Sequence, residues 1–155
     1  LLWYLADART RPAAAALHPE LDGLRERVQR ATLAPDRADV TMLQSRVDPL
    51  LGEVSVLVRA GTDGADLRGA DLLGQDVRGR GLQGANLRGA LLIGADLRGV
   101  DLALADVLGA DLRGSHVHGA DLATALFLTQ FQVNAARGDT STLLPDVIAT
   151  PTHWA

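Results

Sequence analysis

An apolar residue recurs at every fifth position from Leu67 to Phe127, through Leu72, Val77, Leu82, Leu87, Leu92, Leu97, Leu102, Val107, Leu112, Val117 and Leu122. The thirteen pentads centred on these residues run without a gap over 65–129. Their other positions are patterned too: Ala stands two before the centre in nine pentads, Asp or Asn just before it in nine, and Gly two after it in ten. On an α-helix a step of five turns each side chain by about 140°, which would smear the apolar set around the axis. Gly at every fifth position also opposes a helix. In a flat strand an odd step sends successive centres to opposite faces. A single core collects them all only if the backbone bends once per pentad. With bends of roughly 90°, four pentads close a square coil whose centres all point to one axis, which is a solenoid.

Each residue type has a local reason. The central residue fills the interior, the small Ala suits the tight space beside a corner, and Gly accepts the backbone angles of the turn. Asp and Asn bond nearby backbone groups and so favour bends over regular ladders.

The run that begins Ala65-Asp66-Leu67-Arg68-Gly69 and Ala70-Asp71-Leu72-Leu73-Gly74 resembles the pentapeptide-repeat family, whose motif is A(D/N)LXX. The likeness covers 65 of the 155 residues. It implies a mostly β fold, a short right-handed quadrilateral β-helix of about three coils, while the residues outside the repeats read as an N-terminal α-helical region and a short C-terminal helix plus tail. Departures stand at Gln75, Arg80, Val100 and Ser115 in the Ala position, and at Gly81, Leu91, His116 and Leu126 in the Asp/Asn position. Arg80 does not fit a small inward slot, and its head is expected to point outward.

Three segments follow: an α-helical region over 1–63 that partly caps the coil, the repeats over 64–129, and a cap helix with tail over 130–155. Before the repeats, Leu1–Arg9 and the run Ala13–Ala16 read as helical. A further helix begins near Pro19, with Leu21, Leu24, Val28 and Ala31 on its apolar face. Asp36 is a candidate cap for a helix reaching Val47, with Val40, Leu43 and Val47 on one side, and Asp48-Pro49 restarts it as far as Ala60. An exposed backbone edge at either end of a coil invites pairing with other chains, and the segment 48–60 is placed to cover the first. At the other end Thr129–Arg137 reads as a helix closed by Gly138, with Phe127, Phe131 and Val133 against the last coil. The tail is expected along the coil wall, anchored by Trp154.

Composition narrows the function. Apolar residues make up 47% and charged residues 22%, which is ordinary for a water-soluble domain. No run of eighteen apolar residues, no signal peptide and no Cys is present, so a cytoplasmic location is the default and no membrane association is expected. The abrupt apolar opening at Leu1 reads as the trimmed start of a longer protein. All fifteen basic residues are Arg, and the net charge of −4 is spread without blocks, so no direct nucleic-acid binding is expected.

Steps of twenty stack Arg78, Arg98 and His118 beside Asp76, Asp96 and His116 on one outer face. A neighbouring face stacks Leu73 and Ile93 with Leu91 between Asp71 and Asp111, and Leu108, Leu126 and Leu128 add apolar surface next to it. Exposed aliphatic patches mark contact sites. The candidate interaction surface is therefore Leu73, Leu91, Ile93, Leu108, Arg78 and Arg98, unless the chain's own helices or tail cover it.

Catalytic chemistry finds no footing. His116 and His118 are too few ligands for zinc, and His18 and His153 lie far away in sequence. Asp76 and Asp96 sit among Arg residues, as a solvated ladder would. The glycines mark corners and form no phosphate loop. Arg137-Gly138-Asp139 spells an adhesion tripeptide, and a helix C-cap accounts for it more simply.

The expected function is a non-enzymatic scaffold or protein-interaction module without catalytic residues, cofactor, metal or small-molecule substrate. Its partner is a protein of unknown identity, and homodimerisation is a further arrangement to test. Two alternatives stand beside it. One is an accessory module of a larger protein or enzyme. The other comes from the resemblance, which includes proteins that bind and protect DNA gyrase by imitating duplex DNA. About 3.25 coils give roughly 16 Å of rod, short for that task. Nine Asp against six Arg over 61–129 is also far from the two charges per base pair of DNA.

Overall fold

A computed structural model describes residues 1–33 and 37–154, and the chain falls into two compact units, Leu1–Ala60 and Gly61–Ala155. The expected cap at Asp36 lies outside the described residues. The first unit is helical. Helix α1 spans Leu2–Arg9, a 3-10 helix holds Pro12–Leu17, α2 spans His18–Leu33 and α3 spans Arg37–Arg59. Its core gathers Leu5 and Ala8 of α1, Leu21, Leu24 and Val28 of α2, and Leu43, Val47, Leu50, Leu51 and Val54 of α3.

The restart expected at Asp48-Pro49 does not occur, because α3 runs through Pro49 as one helix. Proline removes one hydrogen bond and crowds the preceding turn. The buried stripe of α3 continues on both sides of it at helical spacing, and that packing holds the helix together. No helix among the described residues is long and apolar enough to cross a membrane.

The second unit is built from the pentads. In the nine pentads that carry Asp or Asn, the amide two residues further on donates to that side chain, as Leu73 N–H does to Asp71 at 3.1 Å and Ala103 N–H to Asp101 at 2.8 Å. The centre then accepts from the amide three residues on, as Leu92 does from Ala95 at 3.0 Å. The ten repeat glycines sit at φ between 63° and 76° in the third turn position, the angle that type II turns reserve for Gly. Leu104 takes the same place at φ 58° with a full side chain.

Successive coils pair in parallel through residues twenty apart, such as Asp66 with Asn86, Leu91 with Asp111, and Asp101 with Asp121. These pairings are isolated bridges. Among the described residues there is no strand and no sheet, and the regular elements are helices. The expectation of a mostly β fold is therefore corrected. A ladder needs consecutive paired residues, and a turn inside every pentad leaves one residue per wall free to pair.

The interior cluster takes in the central residues from Leu72 to Leu122, with buried Ala side chains at the corners and Leu67 packed against its edge. At the last pentad the register changes. Phe127 turns at φ 62° and is fully buried outside that cluster, which Leu128 joins instead. Helix α4, Gln130–Ala135, follows, with a capping box between Thr129 and Gln132. It is shorter than expected, and its C-cap is Ala136 rather than Gly138. Phe131, expected against the coil, is 80% exposed, while Val133 is buried.

Candidate functional site

The four walls of the coil differ in chemistry. On the first, Asp66, Asn86, Asp106 and Leu126 stack through consecutive bridges. Asn86 Nδ2 donates to Asp66 Oδ1 at 2.9 Å. Arg88 Nε donates to Asp106 Oδ2 at 2.5 Å, and its guanidinium lies 5.5 Å from the centre of the Phe127 ring. Asp106 is fully buried and Arg88 nearly so. Leu126 and Leu128, expected as outer apolar surface, are buried, and Leu108 is half-buried. The change at Phe127 explains this wall, since its ring covers what straight repeats would leave open. An open wall would have made Arg88 a surface residue of little consequence, whereas it is an inner member of a charged pair.

On the second wall Asp71, Leu91 and Asp111 are bridged in sequence. Leu73 is 59% exposed and Leu91 41%, and Ile93, twenty residues after Leu73, is half-buried. Arg113 closes the end of this aliphatic strip with a 2.7 Å ion pair to Asp111. That pairing, through hydrogen bonds from the guanidinium, holds the Asp111 carboxyl below the usual carboxylate range.

The third wall is a charged ladder. Arg78 Nη2 meets Asp76 at 2.7 Å, Arg78 Nε meets Asp96 of the next coil at 3.2 Å, and Arg98 meets the same Asp96 at 2.6 Å. Hydrogen bonds from Arg78 lower the pKa of Asp76, and those from Arg98 lower that of Asp96 further, with Arg78 adding to the effect. These are structural pairings in which both carboxylates stay ionised. One coil further on, His116 and His118 stack with ring centroids 5.9 Å apart. Among the described residues no group of three or more His, Asp or Glu is arranged to hold a metal ion.

Arg80, awkward in the sequence, is exposed, and its Nη2 donates to Gln75 Oε1 at 3.2 Å. The fourth wall pairs Asp101 with Asp121, whose side chains accept from the amides of the small residues Ala103 and Ala123.

Sequence reasoning missed two features. The first is a groove of about 400 Å3 in the helical unit, lined by Leu1, Leu2, Trp3, Val28, Val40 and Leu43 among others. Val40 is exposed there, not packed inward beside Leu43. The second is the course of the tail, which crosses the end of the coil and continues the stack. Arg137 bridges to His116 and Leu143 to Asp121, at offsets of 21 and 22 residues rather than twenty. Trp154 is buried and donates from Nε1 to the Ala136 carbonyl at 3.1 Å. The Arg137-Gly138-Asp139 tripeptide is part of this closure, with Asp139 folded onto the Ser141 amide at 2.9 Å.

A coil of five-residue units, filled inside and displaying its side chains on flat walls, defines a repeat protein of the solenoid class. The family model for pentapeptide repeats matches residues 82–119 and 92–127, and the chain belongs to the pentapeptide-repeat family. An uncharacterized Bacillus subtilis (strain 168) protein, YybG, is 53% identical over 163 aligned positions, which take in 99% of this chain and 58% of that protein. The chain thus spans well under two thirds of that relative's length. Two solved structures are also similar. A pentapeptide repeat protein of the Arabidopsis thaliana thylakoid lumen is 33% identical over 54% of this chain and 67% of its own, with a TM-score of 0.33. The Rfr23 pentapeptide repeat protein of the cyanobacterium Cyanothece 51142 is 27% identical over 55% and 69%, also with a TM-score of 0.33.

Proposed function

We propose that the protein is a non-enzymatic interaction scaffold whose second wall docks a protein partner through Leu73, Leu91 and Ile93. The supporting observation is the exposure of this strip on a coil whose interior is filled by its own side chains. Water left on aliphatic surface costs about 25 cal/mol per Å2, so burying the strip in a partner is favourable. Arg78 and Arg98 lie on the adjoining wall and serve as the polar rim of the contact.

A pull-down comparing wild type with the Leu73→Asp, Ile93→Asp double variant tests the reading. Prey retained by wild type and lost by the variant is the expected result. An unchanged prey set removes the second wall from consideration. The duplex-mimic alternative draws less support, because Arg78 and Arg98 neutralise carboxylates a mimic would leave bare. Unaltered gyrase supercoiling at micromolar protein would close it. Placement as an accessory module of a larger protein is compatible with the length of the Bacillus relative.

A further inference from the structure

The last edge of the coil is closed by the chain itself, group by group. Every coil leaves a row of backbone donors and acceptors for the next, and at the final coil these rows have no further pentad to meet. The residues after Phe127 supply the partners. Gln132 Nε2 donates to the carbonyls of Val107 at 2.8 Å and Ala110 at 2.9 Å, and Gly114 N–H donates to the Ala135 carbonyl at 2.7 Å. Arg137 N–H donates to Ser115 and its carbonyl accepts from Val117, at 2.8 and 2.7 Å. Leu143 repeats the exchange with Ala120 and Leu122, both at 2.9 Å, and the Thr142 hydroxyl donates to the Val117 carbonyl at 2.9 Å. Val133, Ala136, Ile148 and Trp154 seal the apolar end beneath them.

We propose that residues 137–154 form a built-in end cap, latched by Trp154 on Gly138, that keeps this edge from pairing with the same edge of a second copy of the chain. An uncovered row of backbone groups is a template for another chain, and two identical edges related by a two-fold axis satisfy each other. The latch is specific. A Cβ on Gly138 would stand 2.7 Å from the Trp154 ring, so this position requires glycine while the indole is seated.

The test uses the full chain with Gly138→Val, which blocks the seat, and separately with Trp154→Ala, which removes the ring. Mass by light scattering is read at matched concentration, together with amide exchange at Val117 and Leu122. The expected result is faster exchange at both amides and a twofold mass relative to wild type. Unchanged mass with the amides exposed overturns the proposal, and so does unchanged exchange in both variants, since Trp154 would then latch nothing. If either variant misfolds, seen as lost protection at Leu97, a protease site at the exposed Thr140–Ser141 is cut after folding and the same readings are taken.

Discussion

Asp106 and Arg88 show how much one backbone angle decides. The left-handed turn at Phe127 lays its ring over the Arg88 guanidinium, and the pair with Asp106 is shut away from water. Breaking a buried pair strands the remaining charge, so Arg88→Ala is expected to cost about 3–5 kcal/mol in denaturant unfolding. That is well above the 0–1 kcal/mol or so of an exposed pair. Replacing both members, as Arg88→Met with Asp106→Leu, should restore most of the loss. Nothing in Ala105-Asp106-Val107 marks it apart from other pentads, because the cause lies twenty residues further on. The exposed ladder behaves differently. Asp96 has a lowered pKa, so its contribution to stability is complete above the ordinary carboxylate range and is lost as pH falls through its folded value. In Arg98→Gln the Asp96 carboxyl should titrate higher by NMR, and an unmoved titration would mean that the ladder does not form in solution.

The pentad is the element on which the coil depends, and its two fixed positions fail in different ways. Leu97 is fully buried mid-coil, so Leu97→Ala opens a cavity and is expected to cost about 2–5 kcal/mol. Gly99 has open space around the Cβ site and φ 66°, so Gly99→Ala carries backbone strain alone, about 1–2 kcal/mol. Equal melting temperatures for wild type and Leu97→Ala would contradict the register. That register was legible because the five-residue period admits no regular helix or strand. The absence of strands among the described residues was not, since the same pattern suits a wall with one paired residue or with two. Pro49 reads as a helix break locally, and only the continuing stripe from Leu43 to Val54 overrides it. The tail carries no period at all, so its course across the coil end had no signal in the sequence beyond the lone Trp154.

At the scale of the whole molecule, charge and apolar surface point to different partners, and salt separates them. The carboxylates of the third wall are each matched by an Arg, while the second wall offers aliphatic side chains between Asp71 and the paired Asp111. Attraction between exposed charges is screened once the Debye length falls to about 3 Å near 1 M salt. Burial of aliphatic surface is not screened. A partner held on Leu73, Leu91 and Ile93 should therefore survive a 1 M sodium chloride wash in the pull-down, with retention within about twofold of that at low salt. Binding that imitates a polyanion would fall by orders of magnitude over the same range. Loss of the prey in that wash would move the contact from the aliphatic wall to the charged one, with Arg78 and Arg98 as the residues to change next.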